Sequence, residues 1–277
     1  MFRDEFKERY TTIPFAVSRT YSNGTPAEVI THQHREIELI SVDFGEADFY
    51  VNSKLCRLAA GDVLIIPPYA LHRAVTSKTE ATSYSCICFD TELLCDNALK
   101  SAIKEENFGI GGRFSSEFAF SAKMREYIGS AVRACEEKWL GWELEAVGFM
   151  SLLFGIVKKN AKPEKSVAGI KDAEFGKCTM TYIIENYQSD ATSRTASEAL
   201  HMNHSYFCRL FKKTFGTCFA NYILAYRLER AQIYLRCSSL SVTEIAFKVG
   251  FNNCSYFGKA FKERFGISPL SYRKTKT

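Results

Sequence analysis

The chain has 277 residues, 46% hydrophobic and 24% charged, with a formal net charge of +5. That length accommodates two domains with separate cores, and the composition excludes a disordered or fibrous protein. No apolar run reaches the roughly 18 residues of a membrane helix, and the start MFRDEFKERY lacks the pattern of a signal peptide. Ten cysteines without CxxC pairs or zinc-like Cys/His spacing read as reduced thiols, so a cytoplasmic protein with no membrane partner is expected.

From Ile13 to Phe89 apolar and polar residues alternate in strand fashion, with turn signals at Ser22-Asn23-Gly24, Asn52-Ser53 and Ala60-Gly61-Asp62. The runs IELISV, ADFYV, DVLIIP and SYSCICF predict a small antiparallel barrel. Cys86 and Cys88 alternate onto one face of the last of these, where a structural role is expected. Two helices follow, roughly Ser121 to Lys138 and Trp142 to Lys159. Met124, Tyr127, Ile128, Ala131 and Val132 share one face of the first, and Val147, Met150, Leu153, Phe154 and Val157 one face of the second. The polar stretch NAKPEKSVAGIKD, with Pro163 and Gly169, reads as a linker. A boundary near Lys165 separates a domain at 1–165 from one at 166–277.

Within the barrel, His32-x-His34-x3-Glu38, then Gly61-Asp62, Pro67-Pro68 and His72, resembles the two short motifs of the cupin fold. The resemblance implies that three histidines and one glutamate converge from neighbouring strands, and that metal-binding members hold one ion there. Imidazole and carboxylate suit a divalent first-row metal. His32 and His34, at i and i+2, are expected on one strand face. Three uses stay open for His32, His34, Glu38 and His72: a divalent metal, a metal-free pocket for a sugar or other small molecule, or structure alone. No cofactor is assigned. No nucleophile arrangement or phosphate-cradling glycine loop appears, so no enzyme is expected.

The back half repeats itself. SYFCRLFKKTFG from Ser205 returns fifty positions later as SYFGKAFKERFG from Ser255. At that offset Ala196/Ala246, Asn203/Asn253, Phe211/Phe261, Gly216/Gly266 and Tyr222/Tyr272 are also identical pairs. A fixed offset marks one supersecondary unit used twice. Phe207, Leu210, Phe211 and Phe215 form an apolar helix face, repeated by Phe257, Ala260, Phe261 and Phe265. The opposite faces carry Ser205, Cys208, Arg209, Lys212 and Lys213, and Ser255, Tyr256, Lys259, Lys262 and Glu263. Upstream, Ser241 and Glu244 form a capping box for VTEIAFKV, and Ser193 or Thr195 opens the corresponding helix of the first copy. Short helix, tight turn and basic helix make a helix-turn-helix, whose second helix enters the major groove of DNA. From Asp172 onward there are 15 Lys and Arg against 8 Asp and Glu, whereas the remainder has 21 against 23. The positive excess lies wholly with the repeat, as phosphate binding requires.

The segment from about Thr195 to Arg273 resembles the DNA-binding domain of the AraC-type transcription regulators, most closely in RLERAQIYLRCSSLSVTEIAFKVGFNNCSYFGKAFKERFGISPLSYR. The resemblance implies an all-α domain with two helix-turn-helix units joined by a long helix, here roughly Phe219 to Arg236. The units read successive major-groove segments, ~34 Å apart, of promoter DNA. Carried over by position, Ser205, Cys208 and Arg209 and then Ser255, Tyr256 and Lys259 face the bases, while Lys212 and Lys262 meet phosphates, with Lys213 beside them. The expected whole is a ligand-responsive activator of metabolic genes, with a sugar among its candidate effectors. It is expected to be a homodimer through the helical pair at 121–159, with RNA polymerase as a further partner. The rivals are a metal-dependent cupin enzyme with a DNA-binding appendage and a constitutive DNA-binding protein without an effector.

Overall fold

A computed structural model of the protein describes residues 15–24, 28–76, 80–104, 112–160 and 170–274. The stretch MFRDEFKERY, Ile13 and residues 161–169 of the expected linker lie outside the described residues. The chain forms two compact units, Met1–Ala173 and Glu174–Thr277.

Among the described residues the first unit has nine strands: β1 (Phe15–Asn23), β2 (Glu28–His32), β3 (Ile37–Phe44), β4 (Glu46–Val51), β5 (Lys54–Ala59), β6 (Val63–Ile66), β7 (His72–Thr76), β8 (Ala81–Phe89) and β9 (Gly112–Phe114). They make a five-stranded sheet, β1-β8-β3-β6-β9, and a four-stranded sheet, β2-β7-β4-β5, antiparallel at every pairing. The turns expected at Asn52-Ser53 and Ala60-Gly61 are present, whereas Ser22 and Asn23 belong to β1 and the connection after Gly24 lies outside the described residues. Asn52 and Ser53 both take positive φ (47° and 66°) in the two-residue connection from β4 to β5, the twist such hairpins favour.

Side-chain alternation on β3 decides what each sheet face does. Ile37 and Leu39 join Ile87, Phe89, Val63 and Ile65 in a core covered by helices, whereas Ile40 and Val42 face Phe49, Leu58 and Ala74 of the second sheet. Glu38 alternates with the first set, so it is delivered between the sheets. The motif residue Asp62 is structural here. Its buried carboxylate accepts from Ala59 N, Ser116 N and Arg113 Nε at 2.9–3.0 Å, and Arg125 of the following helix donates to Gly61 O at 2.6 Å.

Three helices complete the unit: α1 (Asn97–Lys104), α2 (Ser121–Glu137) and α3 (Trp142–Asn160). Met124, Ile128, Ala131 and Val132 of α2 and Met150, Leu153, Phe154 and Val157 of α3 are buried together against the five-stranded sheet. These stripes are therefore the domain's own core and cannot also be a subunit interface. The pair instead exposes Trp139, Leu140, Leu144 and Leu152.

The second unit is all-helical: α4 (Ile170–Asn186), α5 (Ser193–Ala199), α6 (His204–Phe215), α7 (Phe219–Cys237), α8 (Val242–Lys248), α9 (Cys254–Phe265) and α10 (Pro269–Lys274). Ile170, Lys171 and Asp172, read from sequence as linker, open α4, which the polar composition around them concealed. No described helix is long and apolar enough to cross a membrane.

Candidate functional site

The two basic helices are set by the same local chemistry. Asn203 caps α6 by accepting from Tyr206 N at 3.2 Å, and Asn253 caps α9 by accepting from Tyr256 N at 2.9 Å. Both helices end at a glycine with φ of 78°, Gly216 and Gly266, which closes the last turn. Phe207, Phe211, Phe257 and Phe261 are fully buried, so the opposite side of each helix must face outward.

The upstream halves carry a correction. Thr192, not Ser193 or Thr195, caps α5, with Thr195 closing a capping box, as Ser241 and Glu244 do for α8. The caps thus lie 49 positions apart. In the turns Met202 N donates to Ser197 O at 2.8 Å and Phe251 N to Ala246 O at 2.9 Å, again 49 apart. The structural counterpart of Ala246 is Ser197, and the Ala196/Ala246 identity is a coincidence of register. The second turn holds one extra residue, which restores the offset of fifty at the reading helices.

Ser205, Arg209, Lys212 and Lys213 are exposed on α6, and Ser255, Tyr256, Lys259 and Lys262 on α9. Cys208 is half-buried, its Sγ 3.5 Å from His204 Nε2, which also meets Ser193 Oγ at 2.9 Å. His204 therefore ties the start of α6 to α5, a role that no sequence pattern signalled. The Arg209 guanidinium lies 5.6 Å from the centre of the Tyr206 ring. That contact orients its planar donor fork; Lys259 keeps only a mobile point charge.

In the barrel, His32, His34, Glu38 and His72 do converge, their ligand atoms within 4.8 Å of one another. The route differs from the sequence expectation, because β2 ends at His32 and His34 lies in the loop beyond it. The loop still carries its ring inward, 5.0 Å from the His72 ring. Each imidazole is pinned in one way: Nδ1 of His32, His34 and His72 meets the carbonyl oxygen of Ile30, Glu36 and Ala70 at 2.8–3.0 Å. A carbonyl only accepts, so Nδ1 carries the proton and donates, leaving Nε2 to face the interior.

Glu38 Oε2 lies 2.7 Å from His72 Nε2 and 3.2 Å from His34 Nε2. Two lone pairs and a carboxylate oxygen repel at such distances unless a cation stands between them, either a proton or a metal ion. Burial opposes charge throughout: with the neighbouring rings of His72 and His34, it pulls His32 down to about 3. Burial also pushes Glu38 up, but His72 and His34 overcome it and hold the carboxyl well below its usual range. The donor set thus fits a divalent first-row ion, with backbone carbonyls orienting the imidazoles as metal-site histidines require. Sequence reasoning missed that Cys86 Sγ lies 2.7 Å from Glu38 Oε1. The cross-strand pairing of Glu38 with Cys88 was the unread signal.

Comparisons with known proteins match both parts of the chain. Residues 15–146 match the family model of the AraC-like ligand binding domain, and residues 196–275 that of a helix-turn-helix domain. The chain is 23% identical over 279 residues to the uncharacterized HTH-type transcriptional regulator YdeC of Bacillus subtilis, covering 97% of this chain and 94% of that one. It is 25% identical over 231 residues to the Msm operon regulatory protein of Streptococcus mutans, covering 83% and 81%. Over 106 residues, 38% of each chain, it is 35% identical to the raffinose operon transcriptional regulatory protein RafR of Pediococcus pentosaceus. The solved structure of apo ToxT from Vibrio cholerae shares the fold over 97% of this chain and 100% of its own, with a TM-score of 0.54 at 13% identity. A β-rich ligand-binding domain followed by a doubled helix-turn-helix domain, matched by transcriptional regulators along nearly its whole length, places the chain in the AraC-type family of transcription regulators.

Proposed function

We propose that the protein is a cytoplasmic, non-enzymatic, ligand-responsive regulator that reads promoter DNA with α6 and α9. The observation that carries this reading is the exposed basic face presented twice on identically capped helices. Arg209 donates its fork to a guanine edge, with Ser205, Ser255, Tyr256 and Lys259 as the other base-facing residues. Lys212, Lys213 and Lys262 neutralise phosphates, and Cys208 packs beside the reading face. Binding should fall about a thousandfold between 50 and 200 mM salt for ~6 phosphate contacts. On DNA selected from a random duplex pool, Arg209→Ala should cost ~1–3 kcal/mol and relax preference at one base position. Lys212→Ala should weaken all sequences alike. Equal, sequence-independent losses for both variants would remove Arg209 from base reading, and salt-insensitive binding would sink the whole assignment.

The effector site is the cluster of His32, His34, Glu38 and His72. Where a divalent ion is held, these four side chains hold it, and the ion supplies Lewis-acid attraction for an oxygen-rich ligand. RafR is named for a raffinose operon, whereas one solved ToxT structure holds an unsaturated fatty acid. The polar, inward-facing cluster favours hydroxyl-bearing ligands such as sugars over a fatty acid. Thermal-shift screening of the whole protein decides, since a ligand at a hundredfold excess over Kd adds ~2.7 kcal/mol of stability. Stabilisation by fatty acids alone would refute the sugar class. Homodimerisation uses the outward leucines of α3, and activation would proceed through RNA polymerase.

A further inference from the structure

We infer that Cys86 and Cys88 belong to the same site as the histidines, making it a thiol-bearing centre for a thiophilic divalent metal ion of the zinc class. The inference rests on reading His32, His34, Glu38 and His72 as a ligand site. The bland alternative is that two small residues merely fill the space between the sheets, since both lie in the inter-sheet core with Ile40 and Tyr84. Three observations point the other way.

The two thiols converge on the carboxylate of Glu38. Cys86 Sγ donates to Glu38 Oε1 at 2.7 Å, while the histidines approach Oε2, so the carboxylate joins both halves of the cluster. Cys88 is the cross-strand partner of Glu38, and its side chain hydrogen-bonds His34. Glu38, Cys86 and Cys88 form a second group whose ligand atoms all lie within 4.8 Å. The sulfurs lie 3.8 Å apart, far beyond the ~2.05 Å of a disulfide, so both are thiols rather than a disulfide.

Charge balance then chooses between the sulfurs. A divalent ion facing one carboxylate and one thiolate is neutral, which a buried site tolerates; a second thiolate would leave a buried negative charge. Cys86 is engaged as a donor to Glu38, so Cys88, beside His34, is the thiolate ligand. Its proton leaves to solvent as the ion binds. Imidazole and carboxylate alone accept most first-row ions, and a thiolate shifts the preference toward soft ones.

The test is titration of metal-free, full-length protein with cobalt(II), followed by competition with zinc. One equivalent should bind and develop a thiolate-to-cobalt charge-transfer band in the near ultraviolet. The band should persist in a variant lacking the exposed thiols Cys95, Cys178 and Cys218. Cys88→Ser should abolish the band and weaken zinc binding by about 10–100-fold. Cys86→Ser should retain it. If Cys88→Ser does not fold, Cys88→Ala takes its place. Cobalt bound at one equivalent without the band, and unaffected at Cys88, would overturn the inference and leave the histidine–carboxylate site standing. No metal binding by the unmodified protein would also overturn the inference and leave the cluster as a metal-free pocket.

Discussion

The two helix-turn-helix units share a scaffold and differ where they meet DNA. The helix caps, the closing glycines and the buried pairs Phe207/Phe257 and Phe211/Phe261 recur, yet the turns differ by a residue and Phe215 is buried where Phe265 is only half-buried. Arg209 beside Tyr206 in the first unit corresponds to Lys259 in the second. The exposed Ser205/Ser255, Tyr206/Tyr256 and Lys212/Lys262 pairs stay identical, so the difference rests on Arg209/Lys259 and Lys213/Glu263. A fork-shaped donor in one unit and a point charge in the other implies unequal sequence demands on the two halves of the operator.

The largest effects should fall on the shared scaffold. Phe211 is fully buried among Phe207, Phe215, Phe219 and Tyr222, and Phe261 among Phe257, Phe265 and Tyr272. Phe211→Ala and Phe261→Ala should each cost ~3–5 kcal/mol in denaturant unfolding, the first more because four rings lose a neighbour. A loss below ~1 kcal/mol at either would break the claim that the units have equivalent cores.

Next come the turns, where the copies should part. Gly250 has φ of 93°, and a Cβ there would lie 2.7 Å from Tyr187 O and 2.9 Å from Arg227 Nε. Its counterpart His201 already carries a side chain at φ 53°. Gly250→Ala should therefore destabilise by ~1–3 kcal/mol, and His201→Gly should be neutral or slightly stabilising. Similar losses at both positions in a thermal melt would show that the turns are not built differently.

The smallest expected effect is the cap. Asn203→Ala and Asn253→Ala should each cost ~1 kcal/mol, measured by the same unfolding assay, because each leaves one helix N–H without its acceptor. Markedly unequal costs would show that tertiary contacts, not the shared cap, hold one helix start.

Legibility followed the range of the interactions involved. Apolar periodicity located α2, α3, α6 and α9, and the Ser241–Glu244 box the start of α8, since each depends on neighbours within a few residues, whereas α7 came from the family resemblance. Helix α4 was missed although Phe175, Thr179, Met180, Ile183 and Tyr187 follow helical spacing and are buried. Its polar opening looked like linker. The Ala196/Ala246 identity hid the one-residue difference between the two turns, because identity at one offset cannot reveal a compensating insertion.

The amino-acid sequence by itself determined the doubled reader, the Ser241–Glu244 cap, the basic face and the four residues that gather in the barrel. These are local patterns or motif spacings, and short-range hydrogen bonding and helix geometry make them readable. Only the tertiary structure decided that the α2 and α3 stripes are consumed by the barrel's own sheet, since an apolar stripe does not state its partner. It alone decided that His34 reaches the cluster from a loop, and that Cys86 and Cys88 meet Glu38. Both follow from the pairing of β3 with β8 and the closure of one sheet over the other, contacts between residues as far as 52 positions apart that no local spacing encodes.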